Sequence, residues 1–222
     1  MRYQTLRLIK IVCLALAPSL VTANAHAQNI DDAVAHAGFG VGISHYNPTS
    51  DQGQSSQGVV AMFRWHSFSS GWGPTVGLDF HSTDFDQTLG GLNAPLGTYR
   101  MRAVLAGYGY TKHLRRLTAS ANMTAGYAFN NFNVEGNAGQ TFSRAGVSLV
   151  GVHVDNSLVL KPFVAAWYDV FRHVGVGVSA AYLVARPEQT ITTATGIQEQ
   201  RLKTDAFELS AGVTFGLWKK KP

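Results

Sequence analysis

The chain is poor in three things, and each absence narrows its chemistry. It has one cysteine, Cys13. Were the first residues removed on export, what remains would hold no disulfide, no thiolate nucleophile and no cysteine metal site. Charged residues make up only 14% of the chain, against about a quarter in an ordinary soluble domain, yet the mean hydropathy is close to zero. After the first thirty residues no apolar run approaches the roughly 20 residues that a membrane-spanning helix needs. Few charges, neutral hydropathy and no spanning helix fit poorly with a soluble globule or a helical membrane protein. With 23 glycines and 11% aromatics, they fit a transmembrane barrel, whose strands are apolar on one face only.

The first residues indicate export. Arg2, Arg7 and Lys10 precede an apolar stretch from Ile11 to Ala23, and Ala25-His26-Ala27 follows. A basic start, a short apolar run and small residues before a cleavage point describe a secretory signal. The expected division is residues 1–27 as signal peptide and 28–222 as one barrel domain, with Gln28 as the first mature residue.

Period-two alternation dominates the rest. Leu117, Ala119, Ala121, Met123, Ala125, Tyr127 and Phe129 alternate with Thr118, Ser120, Asn122, Thr124, Gly126 and Ala128, and on a strand the two sets point to opposite faces. The same holds for Val174 to Ala185 and for Phe207 to Leu217. Shorter runs follow the pattern at Phe39 to Ser44, Val59 to His66 and Val76 to His81. Two segments are noisier. Met101, Ala103 and Leu105 form the expected outward set of one; Phe163, Ala165 and Trp167 form that of the other. The expectation is eight strands, at about 37–47, 58–68, 74–83, 98–110, 117–131, 157–170, 174–186 and 205–218, in an all-β, antiparallel up-and-down barrel. Residues 48–57, 84–97, 132–156 and 187–204 are long polar connections, while 69–73, 111–116 and 171–173 are short, the asymmetry of outer-membrane barrels. Residues 145–154 also alternate. They are expected to form a strand within the long loop; as a spanning strand they would call for a ten-stranded barrel.

The expected inward faces carry Arg64, His66, Asp79, His81 and Glu208. Buried charges are costly unless paired, so these five are expected to meet as a polar network filling the lumen. A metal or proton site built from His66, Asp79 and His81 is the sharper alternative, though nothing in their spacing defines a geometry. Asp84, Asp86, His153 and Asp155 resemble in composition the carboxylates and histidine of the surface proteases called omptins, but the order of residues differs. His66-Ser67 and His81-Ser82 are sequence neighbours, so each pair splits across its strand and supplies no nucleophile–base pair without a partner from another strand. No catalytic residue and no cofactor are therefore assigned. Lys112, Arg115, Arg116, Arg172 and Lys219 to Lys221 gather where the short connections lie; contact with anionic headgroups accounts for them better than nucleic acid in an exported chain.

In strand and loop rhythm the chain resembles the small outer-membrane β-barrel superfamily that includes the OmpA transmembrane domain and OmpX. The sharpest piece is Ser210-Ala-Gly-Val-Thr-Phe-Gly-Leu217. It is similar to the barrel assembly signal, through Ser210, Gly212, Phe215 and Leu217, although Lys219, Lys220, Lys221 and Pro222 follow where many members end on an aromatic. The resemblance implies a non-enzymatic outer-membrane protein with an envelope-structural or surface-loop role. A small porin is the alternative and a lipid- or peptide-hydrolysing enzyme a distant third. The expected partners are outer-membrane lipids, lipopolysaccharide, periplasmic chaperones and the barrel-assembly machinery, with the chain a monomer.

Overall fold

The structure, a computed structural model, describes residues 37–65, 70–171 and 174–217; the expected signal segment 1–27 lies outside them. Among the described residues eleven strands and one short helix follow in order: β1 Ala37–Pro48, β2 Ser56–Trp65, β3 Gly71–Leu89, β4 Leu92–Leu114, β5 Leu117–Val134, α1 Ala138–Arg144, β6 Leu149–Val154, β7 Ser157–Phe171, β8 Val174–Ala185, β9 Glu188–Thr193, β10 Gly196–Arg201 and β11 Ala206–Leu217. Eight of them close an antiparallel barrel in the order β1-β11-β8-β7-β5-β4-β3-β2. Closure leaves no unpaired edge, which strands without water around them require. The ten-stranded alternative is thereby set aside. Residues 149–154 instead pair with β9 in a separate three-stranded sheet, β10-β9-β6.

The outward face is apolar around the barrel. Ile43, Val59, Leu78, Val104, Met123, Val164, Val178 and Leu209 are all exposed. Aromatics concentrate toward the two ends. Trp72 stacks on Tyr108 near the short turns, with ring centroids 6.0 Å apart, while Tyr127 meets Phe129 at 5.3 Å and Tyr182 meets Phe207 at 4.8 Å toward the long connections. An apolar band between two aromatic girdles is the surface that a lipid bilayer selects.

Two strands face the other way from the sequence expectation. On β4, Met101, Ala103 and Leu105 are inside, at 1%, 1% and 4% exposure, and Arg100, Arg102, Val104 and Tyr108 are outside. No register shift interrupts the pairing of β4 with β5. On β7, Phe163 and Trp167 are buried inside and Val164 and Tyr168 are outside. Alternation shows which residues share a face but not which face meets lipid: β7 carries apolar residues on both, Leu158, Leu160, Val164 and Tyr168 outside and Val159, Phe163 and Trp167 inside.

The end with long connections is built, not loose. Residues 84–97, expected as a loop, continue β3 and β4 into a tall hairpin closed by Gly90 and Gly91, whose φ angles are +59° and +80°. Both lie in the left-handed region that a two-residue primed turn demands and that glycine adopts without a Cβ penalty. Residues 188–201, also expected as loop, form the β9–β10 hairpin. Leu89, Ala94 and Leu96 from the tall hairpin, Ala138 and Phe142 from α1, and Ile191 from β9 bury one another in a core of their own.

Candidate functional site

The lumen holds the chemistry. Asp79 on β3, Lys161 on β7 and Glu208 on β11 converge from three sides of the barrel. Lys161 Nζ lies 2.6 Å from Asp79 Oδ2 and 2.7 Å from Glu208 Oε2. All three side chains are at least nine-tenths buried. One ammonium between two carboxylates offsets desolvation that neither carboxylate would tolerate alone. Arg64 on β2 is also buried and donates to the Asn122 side chain on β5, which Thr75 reaches as well, at 3.3 Å. His81 places Nδ1 3.7 Å from Asp79 Oδ1 and stacks on Tyr46, ring centroids 4.0 Å apart. The Tyr46 hydroxyl in turn donates to the Thr204 carbonyl beyond the end of β10. Charged floor and loop layer are thus linked through one aromatic pair.

Arg64, Asp79, His81 and Glu208 therefore all lie inside the barrel, and His66 lies outside the described residues. Lys161, the central cation, was missed by sequence reasoning because the face of β7 was reversed. The period-two offset between Lys161 and Trp167 was the available signal, since one inward residue implies the other. No cluster of three histidine, cysteine or acidic residues able to hold a metal exists among the described residues. His153 and Asp155 do pair, Nε2 to Oδ1 at 3.2 Å, on the exposed surface, while the Asp84 carboxylate accepts a 2.6 Å hydrogen bond from Thr98.

The lumen changes character on either side of the ion cluster. Toward the long connections it is sealed by apolar packing of Phe85, Tyr99, Met101, Leu105, Val159 and Leu183, with Val154 and Leu202 closing over them. Toward the short turns lies a cavity of about 110 Å³ bordered by Met62, Arg64, Lys161, Phe163, Trp167 and Glu208. One wall of it is glycine-rich, because Gly42 on β1, Gly212 on β11 and Gly177 on β8 stand in a row across the closing seam. A Cβ on Gly212 would fall 2.2 Å from the Val41 carbonyl oxygen, so the seam closes only where that position has no side chain. Ser210 lies in the lumen and shares a 2.6 Å hydroxyl hydrogen bond with Ser179. Phe215 faces outward, and Leu217 pairs through its backbone with Ala37.

No protein-family model and no curated protein matches the chain. Solved structures do. The crystal structure of the outer membrane protein OprG from Pseudomonas aeruginosa aligns with a TM-score of 0.70 at 10% identity, over 83% of this chain and 97% of that one. The solid-state NMR structure of outer membrane protein AlkL in lipid bilayers aligns at 0.53 with 11% identity, over 91% and 99%. A major outer membrane protein from Thermus thermophilus aligns at 0.52 with 11% identity, over 82% and 99%. At such identities the likeness is one of fold. With its closed strand order and its outward apolar band, the chain has the fold of these small eight-stranded outer-membrane β-barrels.

Proposed function

We propose that the chain is a non-enzymatic protein of the bacterial outer membrane, whose plugged barrel serves as a rigid base for a folded surface layer that makes contacts outside the cell. The observation that carries this reading is the pairing of a blocked lumen with an ordered cap. The Asp79–Lys161–Glu208 cluster and the apolar packing beyond it occupy the lumen among the described residues, and an eight-stranded barrel is just wide enough for side chains to fill. The cap has its own sheet, helix and buried core. It is tied to the barrel through Tyr46, which donates to the Thr204 carbonyl, and through Gln200, which donates to Gln87 of β3 at 3.2 Å.

Labelling of intact cells tests the reading. The mature chain would have no cysteine, so Thr195→Cys, in the β9–β10 turn, and Arg116→Cys, in the short turn between β4 and β5, are each unique thiols. A membrane-impermeant maleimide is expected to label the first and spare the second. Labelling of both, or only the second, overturns the topology. A second reading, a small channel, draws on the cavity on the short-turn side. That cavity ends against Lys161 and Glu208, so a channel would need the cluster to part; stable single-channel currents from purified protein would favour it.

A further inference from the structure

The outward face of the barrel carries one anomaly. Arg100 and Arg102 on β4 are both exposed and, two residues apart on one face, their Cα atoms lie about 7 Å apart. Arg102 stands in register between Phe80 on β3 and Phe129 on β5, within the aromatic girdle at the long-connection end. Arg100 stands one outward position farther, between Ser82 and Asn131. Neither arginine makes an ion pair among the described residues. Arg186, just past the end of β8, by contrast has its guanidinium 3.0 Å from the Asp205 carboxylate. Asp84, on the same face of β3 and in register with Thr98, accepts a hydrogen bond from the Thr98 hydroxyl and makes no ion pair with either arginine among the described residues. No other barrel strand presents a lysine or arginine outward at this level among the described residues.

The two arginines share a shallow depression of about 240 Å³ with Phe129, Asn130, Asn131 and Asn133. Asn130 is fixed, its amide donating to the Asp155 carbonyl at 2.8 Å and its oxygen accepting from Tyr99 at 2.7 Å. The Asn131 and Asn133 side chains make no hydrogen bond among the described residues. The depression thus offers two planar guanidinium forks and two free amides, directly above an aromatic ring and the apolar band.

We propose that this is a docking site for the phosphorylated headgroup of a lipid A-type glycolipid in the outer leaflet. The guanidinium groups take phosphate oxygens in bidentate fashion. The asparagines reach sugar hydroxyls, and Phe129 lies against the upper acyl chains. An arginine at the girdle without a protein counter-ion is costly against lipid alone, and a headgroup phosphate supplies the missing charge at that depth. The assignment rests on the membrane reading above but not on the role of the surface layer.

The test uses the mature chain refolded in detergent micelles, with binding measured for bisphosphorylated lipid A, enzymatically dephosphorylated lipid A, phosphatidylglycerol and inorganic phosphate. The expected result is a preference of at least about tenfold for bisphosphorylated over dephosphorylated lipid A, consistent with two basic groups at the interface. Arg100→Gln with Arg102→Gln should abolish that preference, and Arg100→Lys with Arg102→Lys should restore part of it. Equal binding of the two lipid A forms by the unaltered protein overturns the proposal without recourse to any variant. So does phosphatidylglycerol binding as tight as lipid A, which would make the patch a general anionic contact, and so does full competition by inorganic phosphate. A chain that stays soluble without detergent would instead refute the membrane reading.

Discussion

Lys161 is the residue on which the lumen turns. Its ammonium contacts both Asp79 and Glu208, so its removal takes the shared cation from two buried carboxylates. Breaking a buried ion pair by deleting one partner costs about 3–5 kcal/mol, whereas replacing a whole buried cluster by apolar residues is often close to neutral. Lys161→Met should therefore destabilise the barrel by that amount in urea unfolding from micelles. Asp79→Leu, Lys161→Met and Glu208→Leu together should recover most of the loss. If the single variant proved as stable as the triple one, the three residues would not act as a unit. At the same scale, Val176 is exposed on the outer wall and Ser179 is in the lumen beside Ser210. Val176→Asp should impair refolding into lipid vesicles more than Ser179→Asp, since charge facing lipid is destabilising while lumen changes are tolerated better. Equal yields would contradict the lipid-facing band.

Among the elements, the β3–β4 hairpin shows how local chemistry and tertiary support combine. Gly90 has a φ of +59°, and a Cβ there would sit 2.7 Å from a Val147 methyl and 3.0 Å from the Ala145 carbonyl. The turn is thus both left-handed and wedged against the segment after α1. Gly90→Ala should cost about 1–2 kcal/mol for the left-handed conformation, plus whatever shift the contact forces. The effect should be confined to the cap. Hydrogen exchange is expected to quicken in residues 86–96 and 138–149 while the barrel strands stay protected; uniform loss of protection would mean that cap and barrel unfold as one.

For the whole molecule, the order of closure matters. β11 comes last of the eight barrel strands in chain order and pairs on one side with β8 and on the other with β1, so its pairing with β1 closes the barrel. Gly212 has a structural duty at that seam whatever else it does. Phe215 faces outward, where it can dock on an assembly factor before it meets lipid. Phe215→Ala with Leu217→Ala is expected to leave unassembled protein in the periplasm of cells, while the purified variant still refolds in detergent. Normal insertion in cells would remove the assembly role and leave these residues as parts of an ordinary strand.

Alternation in β1, β3, β5, β8 and β11 was legible because their apolar and small or polar sets differ clearly in size, and connection lengths set the even strand count. The Gly90-Gly91 turn was also written in the chain, since two glycines between leucines mark a primed hairpin turn, but the polar residues around it read as loop. What period two could not supply was the sense of each face. In β4 and β7 both faces carry apolar residues, and the chain alone does not say which set meets lipid. Only the closed barrel decides: it sets Lys161 opposite Asp79 and Glu208, forces Phe163 and Trp167 inward with it, and turns Arg100 and Arg102 out. Strand periodicity is a local property of the backbone, whereas the pairing of charges from β3, β7 and β11 exists only once the sheet has curled and closed on itself.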